Sequence, residues 1–136
     1  MEAVQIEIFT LCHSATCHKG TLSMLDTFDT FRAPSFPTVC SAFTIVLRAR
    51  FFEADSGQHD LRIGVTDSDS KSVYQVEQLF LSATADSLRT HLHTHIARVE
   101  TLRLEKPGDY WLEARIGKHE AFGVPIWAEL ESAGQQ

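Results

Sequence analysis

The chain has 136 residues, of which 43% are hydrophobic and 22% charged, and its formal net charge at pH 7 is -6. This length suits one domain over residues 1–136, with a flexible tail at 131–136, because such a chain buries roughly two-thirds of its unfolded surface. The negative charge excludes nucleic acid and anionic membrane as expected partners, since both carry charge of the same sign.

Hydropathy and cysteine content indicate a cytoplasmic protein. No apolar run approaches the roughly 18 residues of a membrane span, and residues 1–10 alternate apolar side chains with Glu and Gln, unlike a signal sequence. The three cysteines, Cys12, Cys17 and Cys40, are odd in number. That count suits a reducing compartment better than a disulfide framework.

The first third of the chain predicts two strands. Val4–Leu11 alternates apolar and polar residues, as a half-buried strand requires, and the small polar segment Cys12–Gly20 predicts a loop. Thr21–Phe31 has a similar alternation that breaks at Leu25, where a β-bulge would restore the phase. The prolines that follow forbid regular pairing and indicate a crossing between elements.

The middle of the chain is dominated by one regular pattern, Val39–Phe51. Its predicted inward residues are Phe43, Ile45, Leu47, Ala49 and Phe51. Further strands are predicted at His59–Val65, Val73–Ser82 and His91–Leu104, and the composition of Ala83–Thr90 favours a short helical turn.

The strongest pattern is a β-hairpin formed by Tyr110–Ile116 and Phe122–Leu130, each with apolar residues at every second position. A three-residue loop at 117–119 places Tyr110 opposite Ile126 and aligns the apolar faces. Loops of two or four residues would set apolar residues against polar ones, so parity selects three.

Together the patterns give about eight short strands joined by turns, which favours an all-β fold, an antiparallel β-sandwich. In the last third of the chain, six residues stand at the spacings of a tyrosine corner: Ala97, Val99, Leu102, Gly108, Tyr110 and Leu112. This segment resembles immunoglobulin-like domains, and the resemblance implies a sandwich of that or a similar type.

A second resemblance covers most of the chain. It is carried by the segments I-E-I-F-T-L-C-H-S-A, G-T-L-S-M-L-D-T-F-D-T-F, A-P-S-F-P and L-R-L-E-K-P-G-D-Y. These resemble a bacterial family classified as a domain of unknown function. The resemblance implies a small cytosolic β-sandwich and supplies no catalytic residue.

Two histidine-containing clusters are candidate metal sites. His91, His93 and His95 alternate along a predicted strand and so share one face, where imidazoles can bind zinc. Neighbours on one face lie nearly 7 Å apart, about twice the rise per residue, which is wide for one ion. We therefore favour a solvated strand end, and continued parity from the following residues would place His95 at the edge of the core.

The second cluster, Cys12–His18, holds two thiols and two imidazoles, contributed by Cys12, His13, Cys17 and His18. These are ligands of zinc, and the spacing also matches a rare haem-attachment variant, for which the sequence offers no export signal. An ordinary loop with one buried and one exposed thiol is the favoured interpretation.

Acidic residues in two predicted turns, Asp55, Asp67 and Asp69, have the oxygen chemistry of a calcium site. Aspartate is also the ordinary residue of such turns, and we favour that interpretation.

The hairpin register points to an interaction surface. It pairs Trp111 with Pro125 and puts Trp111 and Trp127 on the outward face, where large aromatic side chains need a cover. Pro125 predicts an edge strand. No nucleophile, phosphate-loop or dinucleotide motif is present, and no cofactor is expected. The sequence thus predicts a non-enzymatic module with a protein partner or a homo-oligomer; the alternative is a metal-binding protein or metal-dependent enzyme using either histidine cluster.

Overall fold

The computed structural model describes residues 4–52, 57–82, 90–118 and 121–131, with side chains described for all of these except 57, 58, 77–82, 90 and 91. The regular structure of these residues consists of eleven strands. They are β1 (Gln5–His18), β2 (Thr21–Phe28), β3 (Thr30–Ala33), β4 (Thr38–Cys40), β5 (Phe43–Phe52), β6 (Gly57–Asp67), β7 (Ser72–Ser82), β8 (Thr90–Val99), β9 (Leu102–Leu104), β10 (Gly108–Ile116) and β11 (Phe122–Leu130). This part of the chain contains no helix long and apolar enough to cross a membrane.

Two sheets enclose one hydrophobic cluster, which confirms the predicted β-sandwich. The first sheet has the order β2-β1-β5-β8 and the second β3-β11-β10-β6-β7, while β4 and β9 pair with each other. Neighbouring strands are antiparallel except β3 and β11, which are parallel. The order β1-β5-β8 against β11-β10-β6 is similar to strands A-B-E against G-F-C of immunoglobulin-like domains.

The described residues form eleven strands, where the sequence predicted about eight, because three predicted strands are each divided. Val39–Phe51 breaks at residues 41–42 and His91–Leu104 breaks at residues 100–101. The pieces cut off in this way, β4 and β9, leave the large sheets and pair with each other. Thr21–Phe31 divides at Asp29 into β2 and β3, which belong to different sheets.

Alternation along β5 and its neighbours builds the core. The five predicted inward residues of β5 are all buried. On the facing sheet, β6 and β10 bury alternate residues in the same way. These are Leu61, Ile63, Val65, Tyr110, Leu112, Ala114 and Ile116. The period of two therefore identified the core correctly in the central strands.

The β10–β11 hairpin has the predicted register. Tyr110 lies opposite Ile126, Trp111 opposite Pro125 and Asp109 opposite Trp127. Pro125 was predicted to mark an edge strand, which is wrong for β11 as a whole because β11 lies between β10 and β3. However, β3 pairs only with residues 127–130 of β11. Pro125 lies before this stretch, so its lack of a backbone N–H does not interrupt the pairing with β3.

The tyrosine corner is present at the start of this hairpin. The Tyr110 hydroxyl donates a hydrogen bond of 2.6 Å to the carbonyl oxygen of Lys106, and the ring is buried in the core. Burial raises the pKa of Tyr110. The residue therefore fixes the turn before β10 from within the hydrophobic cluster.

The predicted loop at Cys12–Gly20 is wrong, because β1 runs on to His18 and pairs with β2. Lys19 and Gly20 form a two-residue turn with φ values of 51° and 81°, the backbone of a type I′ hairpin. The bulge predicted near Leu25 is also absent: the β1–β2 pairing keeps one register, and Asp26 instead has a left-handed φ of 57°.

Two predictions concern segments that lie almost wholly outside the described residues. The short helical turn was placed at 83–90, of which only Thr90 is described, as the first residue of β8. The flexible tail was placed at 131–136, of which only Glu131 is described.

Candidate functional site

The outward surface of the β10–β11 hairpin is the strongest candidate site. We call the side chains of Trp111, Pro125 and Trp127 the Trp face. The indole of Trp111 is 44% exposed, Pro125 is exposed and Trp127 is half-buried. The opposite side of the same strands forms the core, so these side chains project from the second sheet away from the interior, as the sequence predicted.

The position of Trp111 depends on a glycine of the neighbouring strand. A Cβ atom built on Gly123 would lie 3.7 Å from Cε3 of Trp111 and 3.7 Å from Cγ of Glu113. The indole thus extends over a residue that has no side chain, while Pro125 lies directly opposite it. The result is an apolar surface supported by two strands rather than by a mobile loop.

A shallow depression of about 300 Å³ adjoins this surface on the same sheet. Gly64, which has no side chain and lies opposite Glu113, forms part of its lining. Its rim includes Arg62, Arg115 and Gln75. The Trp face therefore borders a polar, mixed-charge region.

The Trp face itself has acidic neighbours. Asp109 and Glu113 precede and follow Trp111 at alternate positions of β10, so all three side chains project from the same face. Both carboxylates are exposed, and neither forms an ion pair with another residue that the structure describes. Glu129, farther along β11, differs because Arg32 lies 3.4 Å from its carboxylate.

His93 and His95 of β8 lie on the core side of the first sheet. His95 pairs with Leu47 and His93 with Ala49, and directly opposed residues share a face. The predicted solvated strand end is therefore wrong for His95, which is half-buried, and the prediction that parity places it at the core edge is confirmed. Burial lowers its pKa. The side chain of His91 lies outside the described set.

The cluster at Cys12–His18 is dispersed by its strand geometry. Cys12 is buried and donates a hydrogen bond of 3.3 Å to the carbonyl oxygen of Ser14, whereas Cys17 and His18 are exposed. Cys17 and His18 are neighbours in a strand and so project to opposite faces. One buried and one exposed thiol were predicted and are confirmed, and burial raises the pKa of Cys12. Among the described side chains, no group of three or more His, Cys, Asp or Glu could hold a metal ion.

Asp67 serves the turn between β6 and β7. Its Oδ1 accepts hydrogen bonds of 2.9 Å from the backbone N–H groups of Asp69 and Lys71. The bond from Lys71 is the largest cause of the lowered pKa of this carboxyl group. The structural interpretation of this turn is thereby confirmed, and Asp55 lies outside the described residues.

Two surface features were not predicted. The first is a cleft of about 360 Å³ at the edge-to-face cluster of Phe28, Phe31 and Phe43, with Cys40 and His13 also in its lining. Sequence patterns missed it because it depends on β2, β3 and β4 meeting after the chain changes sheets.

The second is the outer part of the β1–β2 hairpin. The ladder between β1 and β5 ends at the pair of Cys12 and Thr44, whereas β1 and β2 stay paired from Ser14 and Leu25 to the turn. We call residues 14–25 the arm. The broken alternation at Leu25 was the available signal, since an apolar residue on each face indicates a ribbon without a single buried side.

A search of the curated proteins finds no match. Among solved structures the chain is similar to a β-glucosidase from Listeria innocua in complex with isofagomine, at 8% identity and a TM-score of 0.49, over 91% of this chain and 16% of that one. This likeness is too low to support an argument about fold or activity.

The family comparison is informative. Residues 7–128 match the model of a family of unknown function, DUF6941. The match spans both sheets and includes the arm and the Trp face, in agreement with the resemblance seen in the sequence. The chain therefore belongs to the DUF6941 family.

Proposed function

We propose that this protein is a non-enzymatic interaction module that binds a protein partner through the Trp face. The observation that carries the proposal is the 44% exposure of Trp111 on the outer side of a sheet whose inner side is the core. Aromatic residues in the middle of a surface patch are enriched at protein interfaces and supply most of the binding free energy there.

Rigidity of the surface supports the same proposal. Trp111 and Pro125 lie opposite each other on paired strands, so little conformational entropy is lost when a partner covers them. Asp109 and Glu113 at the border add a polar rim, which is the usual surround of an apolar interface centre. The partner that fits is a protein surface with apolar side chains and positive charge.

The cytoplasm is the compartment we propose for this activity. The three cysteines form no disulfide, in keeping with a reducing environment. The partner is a second protein chain, and neither nucleic acid nor membrane is required.

Tryptophan fluorescence tests the proposal directly, because the chain has only two Trp residues and both belong to the Trp face. The purified protein is studied over a concentration series by light scattering and by acrylamide quenching. The measurements are made on the protein alone and mixed with the proteins that neighbouring genes encode. We expect association to shield the indoles from quencher. A protein that stays monomeric, keeps quenchable indoles and retains none of those neighbours would contradict the proposal.

The matched variants are Trp111→Ser with Trp127→Ser, and Val39→Ser as the control. Val39 is 57% exposed but lies in β4, away from the Trp face. We expect the Trp double variant to lose association and Val39→Ser to keep it, with both variants still folded by circular dichroism.

A further inference from the structure

The arm is a second exposed surface, distinct from the Trp face. Beyond the pair of Cys12 and Thr44, no third strand among the described residues pairs with it, and it carries two exposed apolar side chains. Met24 is 37% exposed and Leu25 is 56% exposed. They are adjacent in β2 and so lie on opposite faces of the ribbon. A two-stranded ribbon is marginally stable in water unless its apolar side chains find a cover.

Charge distinguishes the arm from the rest of the molecule. Residues 14–25 contain Lys19 and His18 and no acidic residue, although the whole chain has a net charge of -6. Lys19 is exposed at the tip, in the turn between β1 and β2. The arm therefore combines apolar sides with a positive tip.

The Trp face has the complementary properties. It presents exposed aromatic surface with the carboxylates of Asp109 and Glu113 on either side of Trp111. Positive charge on one surface and negative charge on the other steer association and select between partners. A copy of the same chain supplies both surfaces at equal concentration.

The arm and the Trp face of one molecule belong to different sheets. The arm continues the first sheet, whereas the Trp face is the outer side of the second sheet, with the whole core between them. We propose that the arm of one copy docks on the Trp face of a second copy. This rests on the proposed function, because it names the partner of the same surface.

Such a contact joins two different surfaces. Two copies that place their arms on each other's faces form a closed twofold dimer, whereas one-directional docking extends into a ring or a chain. Exposed charges contribute, so the association weakens as salt is raised, because the Debye length is about 10 Å at 0.1 M ionic strength.

Complementation between two variants tests this geometry. The arm variant is Leu25→Glu and the face variant is Trp111→Ser with Trp127→Ser, which contains no Trp. We expect wild type to assemble with concentration and each variant alone to be monomeric in sedimentation velocity. An equimolar mixture is expected to form a heterodimer and no larger species, since one intact arm and one intact face remain.

Fluorescence identifies the docked surface in that mixture. All Trp emission comes from the arm variant, so a blue shift and reduced acrylamide quenching on mixing place the other copy's arm over its indoles. Lys19→Glu, at an exposed turn, provides a second arm variant that is expected to fold and to weaken assembly. Val39→Ser is the control expected to assemble like wild type.

Three results would overturn the inference. They are a monomeric wild type at all concentrations, an arm variant that assembles normally, or a mixture that stays monomeric. After any of these results, the proposed function still stands if wild type and the arm variant bind a different protein and the Trp double variant does not. Failure of the inference can therefore be distinguished from failure of the proposed function.

Discussion

The Tyr110 hydroxyl donates a hydrogen bond of 2.6 Å to the carbonyl oxygen of Lys106, four residues earlier in the chain. Through this bond a residue of the core holds the turn that leads into β10, and β10 carries Trp111 on its opposite side. One side chain, Tyr110, therefore links the conformation of the turn to the packing of the core and to the strand that carries Trp111.

Tyr110→Phe tests this coupling. We expect the free energy of unfolding to fall by about 1 kcal/mol, because one partly buried hydrogen bond is lost while the ring stays in the core. Chemical denaturation measures the change. Tyr74→Phe, a half-buried tyrosine of β7, is the control and should change stability less. Equal effects of the two variants would contradict a special role for Tyr110.

The half-buried imidazole of His95 predicts a stability that depends on pH. Burial lowers its pKa in the folded state below the ordinary value of 6.5, so the unfolded chain binds a proton more readily. The contribution of neutral His95 to the free energy of unfolding is therefore fully present above about pH 6.5. It is lost as the pH falls from there through the folded-state pKa.

Denaturant titrations between about pH 7.5 and pH 5 measure this dependence, a window above the ordinary pKa of carboxyl groups. We expect His95→Gln to flatten the decline. The exposed His18 serves as the control, since His18→Gln should leave the profile unchanged. An identical slope in wild type and His95→Gln would show that another group is responsible.

Lys19 has a φ of 51°, which is unfavourable for a lysine, next to Gly20 in the type I′ turn of the arm. Asn-Gly is the preferred sequence for such a turn. Lys19→Asn should therefore raise the free energy of unfolding by about 0.5 to 1 kcal/mol. Lys118→Asn, in the turn after β10, is the matched control, because Lys118 has no positive φ. Thermal melts of the two variants decide the question.

Two glycines of the outer surface of the second sheet should respond differently to alanine. A Cβ on Gly64 would lie 3.0 Å from the carbonyl oxygen of Tyr74, whereas a Cβ on Gly123 would make ordinary contacts at 3.7 Å. We expect Gly64→Ala to lose about 1 kcal/mol through crowding against a paired strand. Gly123→Ala should gain about 0.5 kcal/mol by restricting the unfolded chain. A stabilising Gly64→Ala together with a destabilising Gly123→Ala would contradict the packing described for this surface.

Residue periodicity predicted those parts of the fold in which one face is buried. Tyr110, Leu112 and Ala114 alternate with polar residues because the core lies on one side only, so both the strand and its register with β11 could be derived. The same reasoning predicts that Trp111 and Pro125 lie opposite each other, which the structure confirms.

Prediction failed where pairing, rather than burial, determines the structure. Cys12–His18 is a strand because β2 pairs with it, although its exposed half has the polar composition of a loop. Likewise, the composition of the histidine row favours a solvated strand end, because its partners on β5, such as Leu47 and Ala49, are distant in sequence; only parity with the following residues indicates the core-edge position of His95. Local patterns contain no information about such neighbours.

The parallel pairing of β3 with β11 sets Thr30 opposite Trp127. On a translating ribosome, β3 therefore has no ladder partner until β11 has left the exit tunnel. Pairing between such distant segments is slow, since the loop that separates them must be closed first. We therefore expect β3 to join the second sheet late in folding, after β11 has become available.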